Sequence, residues 1–185
     1  MHTDTFLVAL AAHTPVDEEE AIHRGNMMRF VASHANNWWM RTTAEGHVTG
    51  SAWVVNQERT HALLLHHVKL NIWVQPGGHL DATDVSPAAG AMREALEETG
   101  ISSLTLASES PFDVDIHSIP ARAGKAANEP AHLHYDVRYL IMSSDKCVSI
   151  SEESMAAKWM LLEDLVQPSN ERSIARMAEK LLGQR

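Results

Sequence analysis

Residues 93–101 read Arg93-Glu94-Ala95-Leu96-Glu97-Glu98-Thr99-Gly100-Ile101, preceded by Gly77-Gly78-His79-Leu80-Asp81 and by Ser86-Pro87. The spacing predicts a helix over 87–99. The Ser86 hydroxyl can cap its start, Pro87 suits the first helical position because no partner awaits an N–H there, and Gly100 can take the left-handed backbone that ends a helix. At about 100° per residue, Ala91, Met92, Ala95, Leu96 and Thr99 share one side. Glu94, Glu97 and Glu98 fall roughly opposite, at i, i+3 and i+4, with Cβ atoms ~5–6 Å apart. That placement opposes helix formation twice. Like charges at this spacing repel by roughly a few tenths of a kcal/mol. Glu97 and Glu98 also face the negative end of the helix dipole, at roughly 0.3–1 kcal/mol each. The plain reading is a solvated acidic face. A divalent cation among the carboxylates would reverse both penalties, and hard oxygen donors suit Mg2+ or Mn2+. The upstream glycine pair and the Arg93 inside the cluster favour the cation.

Around this segment the chain alternates in texture. Val48–Asn56 and His61–Val68 read as strands joined by the polar turn Asn56-Gln57-Glu58-Arg59, and Leu70–Val74 as a short strand stopped by Pro76-Gly77-Gly78. Further strands are expected at Phe112–His117, Leu133–Met142 and Lys158–Leu161, with the Pro, Gly and Ala-rich stretch Ile119–Ala131 as a mobile loop. Ile174, Met177, Ala178, Leu181 and Leu182 recur at helical spacing before Gly183 and predict a closing helix. The first forty residues predict helix, started at Thr14-Pro15-Val16-Asp17, weakened at Gly25, and carrying Met27, Phe30, Val31 and His34 on one face. Asn36-Asn37 is the expected exit turn, before an aromatic plug at Trp38-Trp39. No internal repeat is visible. Strands and helices mix without strict alternation, which implies one α/β (α+β) layered domain with an N-terminal helical extension.

Composition bounds the function. In 185 residues, 44% hydrophobic content is enough for a core, and 24 acidic against 15 basic residues give a net charge of −9. That balance argues against a protein that grips long nucleic acid through a basic surface. It leaves phosphate-bearing small ligands open, since a bound cation inverts the local sign. The single cysteine, Cys147, excludes an internal disulfide and a four-thiolate zinc site, and reads as an inert small residue. No apolar run approaches the ~20 residues of a membrane span. The apolar start Phe6–Ala12 follows Asp4 and lacks a basic leader region, so a cytoplasmic setting is expected.

Residues 93–101 resemble the second half of the Nudix box, G-x5-E-x7-R-E-U-x-E-E-x-G-U, with Gly78 as its opening glycine. Asp84 stands where the first glutamate belongs, eight residues rather than seven separate it from Arg93, and Ala95 fills the first aliphatic position. Ser51–Val55, Leu63–His67 and Trp73–His79 are similar to the strands leading into that box, and Lys158–Leu165 resembles the family's late W-x-x-x-x-E-L segment. The Gln75-Pro76-Gly77-Gly78-His79 lead-in looks like that of a bacterial subgroup. The resemblance implies residues 1–45 as a helical extension packed on a Nudix domain at 46–185, folded as an α/β/α sandwich around a mixed sheet.

It also implies an activity: divalent-metal-dependent hydrolysis of a pyrophosphate bond in a nucleoside diphosphate linked to another moiety. Glu97 and Glu98 would ligate Mg2+ (or Mn2+), Glu94 would ligate it or activate water, and Arg93 would orient the glutamates through its planar fork. Gly77 and Gly78 would let backbone approach the site. Whether Asp84 or Asp81 stands in for the missing glutamate stays open at the level of sequence. On a strand, His132, His134 and Asp136 share one face. They suit contacts to phosphate, a remote general base, a zinc or iron site, or simply a polar strand face. His79 is placed to line the cleft, His66, His67 and Lys69 are weaker candidates for phosphate contact, and Arg122 and Lys125 could close over an anionic substrate. The competing readings are a Nudix-like nucleotide-binding regulatory domain without hydrolysis, an isoprenoid-type isomerase, which Cys147 does not suit, and an RNA-end processor, which the acidic balance opposes. The N-terminal helices offer a surface for a homodimer.

Overall fold

The N-terminal apolar stretches fold as two separate helices in the computed structural model, α1 (Thr3–Ala12) and α2 (Glu18–Ser33), where the sequence predicts one start at Thr14. The structure describes residues 1–68, 71–121, 130–150, 154–167 and 170–183. Lys69, Leu70, Arg122 and Lys125, and most of the expected loop at 119–131, lie outside the described residues. Helix α2 begins later than expected because Asp17, not Thr14, is the cap: its Oδ1 accepts from the Glu20 N–H at 2.8 Å. Glu20 reaches back to accept from the Val16 N–H at 2.9 Å, so the two acids satisfy the orphan donors of the first turn reciprocally. Gly25 does not interrupt the helix.

The sheet is built on β1 (Gly46–Asn56), every residue of which is buried. It pairs in parallel with β7 (His132–Ser143) along its whole length, from Gly46↔Leu133 to Asn56↔Ser143. On its other edge β1 divides its partners. Thr49–Ser51 pair with the three-residue β4 (Gly77–His79), and Val55 pairs with Ala62 of β2 (His61–His67). Strands β3 (Trp73–Val74) and β8 (Ser154–Leu161) flank β2, while β5 (Leu104–Leu106) and β6 (Asp113–Ile119) share the far edge of β7. The glycine pair read as a stop signal is therefore itself a strand. Ile119, expected in a loop, closes β6 opposite His132.

Alternation along β1 sends its side chains to two layers. Val48, Ala52 and Val54 face α1, α2 and α3 (Pro87–Thr99), in a core shared with Phe6, Leu10, Met27, Phe30, Val31, Trp38, Ala91 and Ala95. Trp53 and Val55 face the opposite layer, where Leu64 meets Leu162 and Leu165 of α4 (Leu162–Leu165) and Met177 and Leu181 of α5 (Arg172–Leu182). The result is an α/β/α sandwich around a mixed sheet. Helix α3 is capped as its sequence predicts: Ser86 Oγ accepts from the Ala89 N–H at 3.2 Å, and Gly100 ends it at φ 64°. Leu96 departs from the expected apolar face and is 41% exposed, because the sheet meets α3 through Ala91 and Ala95 one turn apart.

The layers are tied by a buried ion network that no sequence pattern announces. Asp113 of β6 is 0% exposed and accepts from Arg176 (2.9 Å from each of two nitrogens), Lys180 (2.6 Å) and Arg138 (3.2 Å). Lys180 also donates to Glu20 of α2 at 2.5 Å, and His13 Nε2 lies 2.7 Å from the same carboxylate oxygen. Burial alone would raise the Glu20 pKa. The bonds from His13, Lys180 and the Val16 N–H outweigh it and hold Glu20 down at about 2.

Candidate functional site

Arg93 organises the acidic segment. Its guanidinium donates to both oxygens of Asp84 (3.2 and 3.0 Å), to the His79 carbonyl (2.9 Å), to Glu94 (3.0 Å) and to Glu97 (3.1 Å). Five contacts from one planar fork fix two glutamates against β4, the kind of multidentate holding for which Arg is suited. Asp84 is buried, and its Oδ2 also accepts from the Asp81 N–H at 2.7 Å. Burial would raise its pKa, but Arg93 and that backbone donor lower it overall, so Asp84 is a fixed anion behind Arg93. Asp81, 3.8 Å from Arg93 and largely exposed, makes the weaker contact. The shorter acid with one extra loop residue thus reaches the arginine from the loop.

Glu98 turns to the other end of β4 and accepts from the Gly77 N–H at 2.8 Å. Between these anchors Gly78 lies directly under Glu94: a Cβ there would sit 2.7 Å from the carboxylate carbon and from both its oxygens. Glycine is required here by close approach rather than by backbone angle. Gly78→Ala is expected to leave the fold intact, since only the end of a flexible side chain must move, and to lower kcat by roughly 10–100-fold by displacing Glu94. Circular dichroism together with steady-state kinetics checks both halves.

Glu94 is partly enclosed, and its pKa is raised, first by desolvation and then by the neighbouring Glu97 and Asp81, although Arg93 pulls the other way. One arginine therefore faces Asp84, Glu94 and Glu97, with Glu98 nearby, and the acids outnumber it. The donor set is all hard carboxylate oxygen with surplus negative charge, the chemistry that suits Mg2+ or Mn2+, although among the described residues these oxygens do not gather within 4.8 Å of one another. Two surface depressions on the α2 and α5 side, around Asp17 to His23 and around His13 to Lys180, include none of these residues.

His79 points to the opposite side of β4 from Gly78, as strand alternation requires. There its ring meets His47 (centroids 4.9 Å apart) and His134 (5.3 Å). His132 lies 5.1 Å from both His47 and His134, and His117 lies 5.5 Å from His134 at the outer edge. The register explains the gathering: His47 of β1, His134 of β7 and His117 of β6 are directly paired neighbours. Sequence reasoning found His79, His132 and His134 but missed His47, whose link to β7 is a long-range pairing. The only local hint was its alternation with Thr49 and Ser51.

Asp136 shares the strand face of His132 and His134, as expected, while its carboxylate is taken up by other partners. Its carboxylate accepts from Thr49 (3.0 Å), Ser51 (2.7 Å), Gln75 (3.3 Å) and Arg138 Nε (2.8 Å). Two residues further along β7 than His134, it is buried, and through Arg138 it joins the ion network around Asp113.

The histidines carry a pH signature. Burial first, then Arg41 and His132, lowers the His79 pKa to about 4; burial first, then the surrounding histidines, lowers that of His134 to about 2. The unfolded chain therefore binds more protons than the native one below about pH 6.5, and stability falls with falling pH in that window. His117 works the other way: burial would lower its pKa, but Asp115 and Asp136 outweigh it and raise it overall. The metal-free protein is expected to lose on the order of 2–4 kcal/mol between pH 7 and pH 5, before the lowered carboxylates Glu20 and Asp84 begin to protonate. Urea titrations across this range should show the fall in midpoint; a flat profile would contradict the buried, neutral state of the two imidazoles.

Residues 46–181 match the family model described as the NUDIX domain. No curated protein matches the chain. Among solved structures, a hydrolase of the NUDIX family from Clostridium perfringens is 25% identical, with 75% of this chain and 98% of that one covered and a TM-score of 0.54. A binary complex of the C. elegans Ap4A hydrolase (18% identity, 74% and 96% covered, TM-score 0.53) shares the fold. So does the E. coli dihydroneopterin triphosphate pyrophosphohydrolase (15% identity, 75% and 96% covered, TM-score 0.54). Among the described residues no helix is long and apolar enough to cross a membrane.

Proposed function

The chain belongs to the Nudix family, and on that premise we propose that it is a divalent-metal-dependent hydrolase of a pyrophosphate bond in a nucleoside diphosphate linked to another moiety. The observation that supports this reading is the hold of Arg93 on Glu94 and Glu97, backed by Asp84 and the His79 carbonyl. It keeps carboxylates in place that would otherwise repel one another. Glu94, Glu97 and Glu98 would hold Mg2+ or Mn2+. The bound ion would supply Lewis-acid stabilisation of phosphate charge and a lowered water pKa. Glu94 would either complete that ligand set or help activate the attacking water. Arg93 positions the glutamates, and Gly78 leaves the space that Glu94 occupies. The Ap4A hydrolase and the dihydroneopterin triphosphate pyrophosphohydrolase act, by their names, on polyphosphorylated compounds. That supports the same substrate class here.

The test is a hydrolysis screen over nucleoside triphosphates, dinucleoside polyphosphates, nucleotide sugars and coenzyme pyrophosphates with Mg2+ and Mn2+ compared. Phosphate-ester product that appears with metal and vanishes with chelator is the expected result. Thermal stabilisation by nucleotides with no product from any substrate would instead make the chain a sensor.

A further inference from the structure

On the sheet face opposite α3, we infer that His47, His132 and His134 form a transition-metal site of the zinc class, separate from the carboxylates of the Nudix box. Among the described residues, the ligand nitrogens of these three side chains lie within 4.8 Å of one another, and no other trio of His, Cys, Asp or Glu does. Zn–N bonds of ~2.0–2.1 Å in a tetrahedron place nitrogens about 3.4 Å apart. Closing the trio onto an ion thus asks each ring to shift by roughly an ångström.

Three further features point to an ion rather than to mere packing. The His132 Nδ1 lies 2.9 Å from the Pro130 carbonyl, so that nitrogen carries the proton and Nε2 presents its lone pair. This outer hydrogen bond is the one that metal-ligating histidines usually make. The Nε2 atoms of His134 and His79 are buried and make no hydrogen bond among the described residues. Burying a polar nitrogen without a partner carries a free-energy cost, and a metal ion would remove it. Finally, the sheet register gathers the rings: His47 on β1 pairs with His134 on β7, His132 lies two residues before it on the same face, and His79 on β4 pairs with Thr49, two residues beyond His47. A backbone so tied pre-organises the donors.

The donor set selects the metal. Imidazole suits Zn2+, Co2+, Ni2+ and Cu2+ and disfavours Mg2+, whose hard-oxygen donors lie on the other face of β4. His117, 43% exposed by side chain and 5.5 Å from His134, marks the side from which solvent and ion reach the trio. With three protein ligands, the fourth position falls to the adjacent His79 or to a water.

The full chain, stripped with chelator and dialysed, is titrated with Zn2+ and Co2+ in excess Mg2+. Expected are one equivalent of Zn2+ per chain that Mg2+ does not displace, and a Co2+ complex with the intense visible absorption of a tetrahedral site. His134→Gln and, independently, His47→Asn should each weaken Zn2+ binding by at least about 100-fold, while Glu97→Gln leaves it unchanged. If either histidine variant fails to fold, the other and the wild-type spectrum still decide. Zn2+ that Mg2+ displaces, absence of the Co2+ bands, unaltered binding in both histidine variants, or loss of binding in Glu97→Gln would each overturn the assignment. None of these readouts depends on hydrolysis, so failure here is distinct from failure of the proposed activity.

Discussion

Glu98→Gln is expected to lower kcat by roughly 100–1000-fold with substrate and Mg2+ saturating, and Glu97→Gln by a similar factor. Each swap removes one negative charge from the set proposed to hold the cation. Losing about 3–4 kcal/mol of transition-state stabilisation corresponds to two to three powers of ten in rate. The fold should survive. A glutamine oxygen can still accept the Gly77 N–H that Glu98 now takes at 2.8 Å, and removing one of three like charges relieves repulsion along α3. The melting temperature is therefore expected to hold or rise while turnover collapses. Wild-type turnover in both variants, measured across a Mg2+ titration, would remove these two carboxylates from the metal site.

The second large effect concerns stability. Asp113→Ala leaves Arg176, Lys180 and Arg138, all buried, without their shared anion. Breaking one side of a buried ion pair costs about 3–5 kcal/mol, because the remaining charges stay desolvated. For a chain of this size that corresponds to a fall in melting temperature of roughly 6–20 °C. Pairing the change with Lys180→Met should not recover the loss, since Lys180 also holds the buried Glu20. If the single variant melts with the wild type, the network is not a net constraint on the fold.

The contrast between these two regions shows what sequence could convey. The α3 segment was readable because its signals are local: the Ser86 cap, Pro87, the Gly100 terminus and the three glutamates all sit within fifteen positions and follow one helical period. The strand pair β1 and β7 was legible as two strands but not as neighbours, since nothing in 46–56 names its partner at 132–143. Hence His47 escaped notice, and the bonds of Asp136 to Thr49 and Ser51 could not be foreseen. Nothing local marks Arg176 and Lys180 as buried, yet both are, because Asp113 and Glu20 arrive from distant elements to meet them. The start of α2 was expected at Thr14-Pro15, which mimics a helix start, while the actual cap is the reciprocal pair Asp17 and Glu20.

The parallel β1–β7 ladder also imposes an order in time. Thr49 and Asp136, hydrogen-bonded in the finished molecule, are 87 positions apart, and closing so long a span precedes any reward from the contacts it makes. During synthesis β1 emerges long before its companion, leaving the run Ala52-Trp53-Val54-Val55 with an open edge. Assembly of this molecule on the ribosome therefore waits on residue 143, and the interval before it arrives is when the nascent chain most needs shielding from its neighbours.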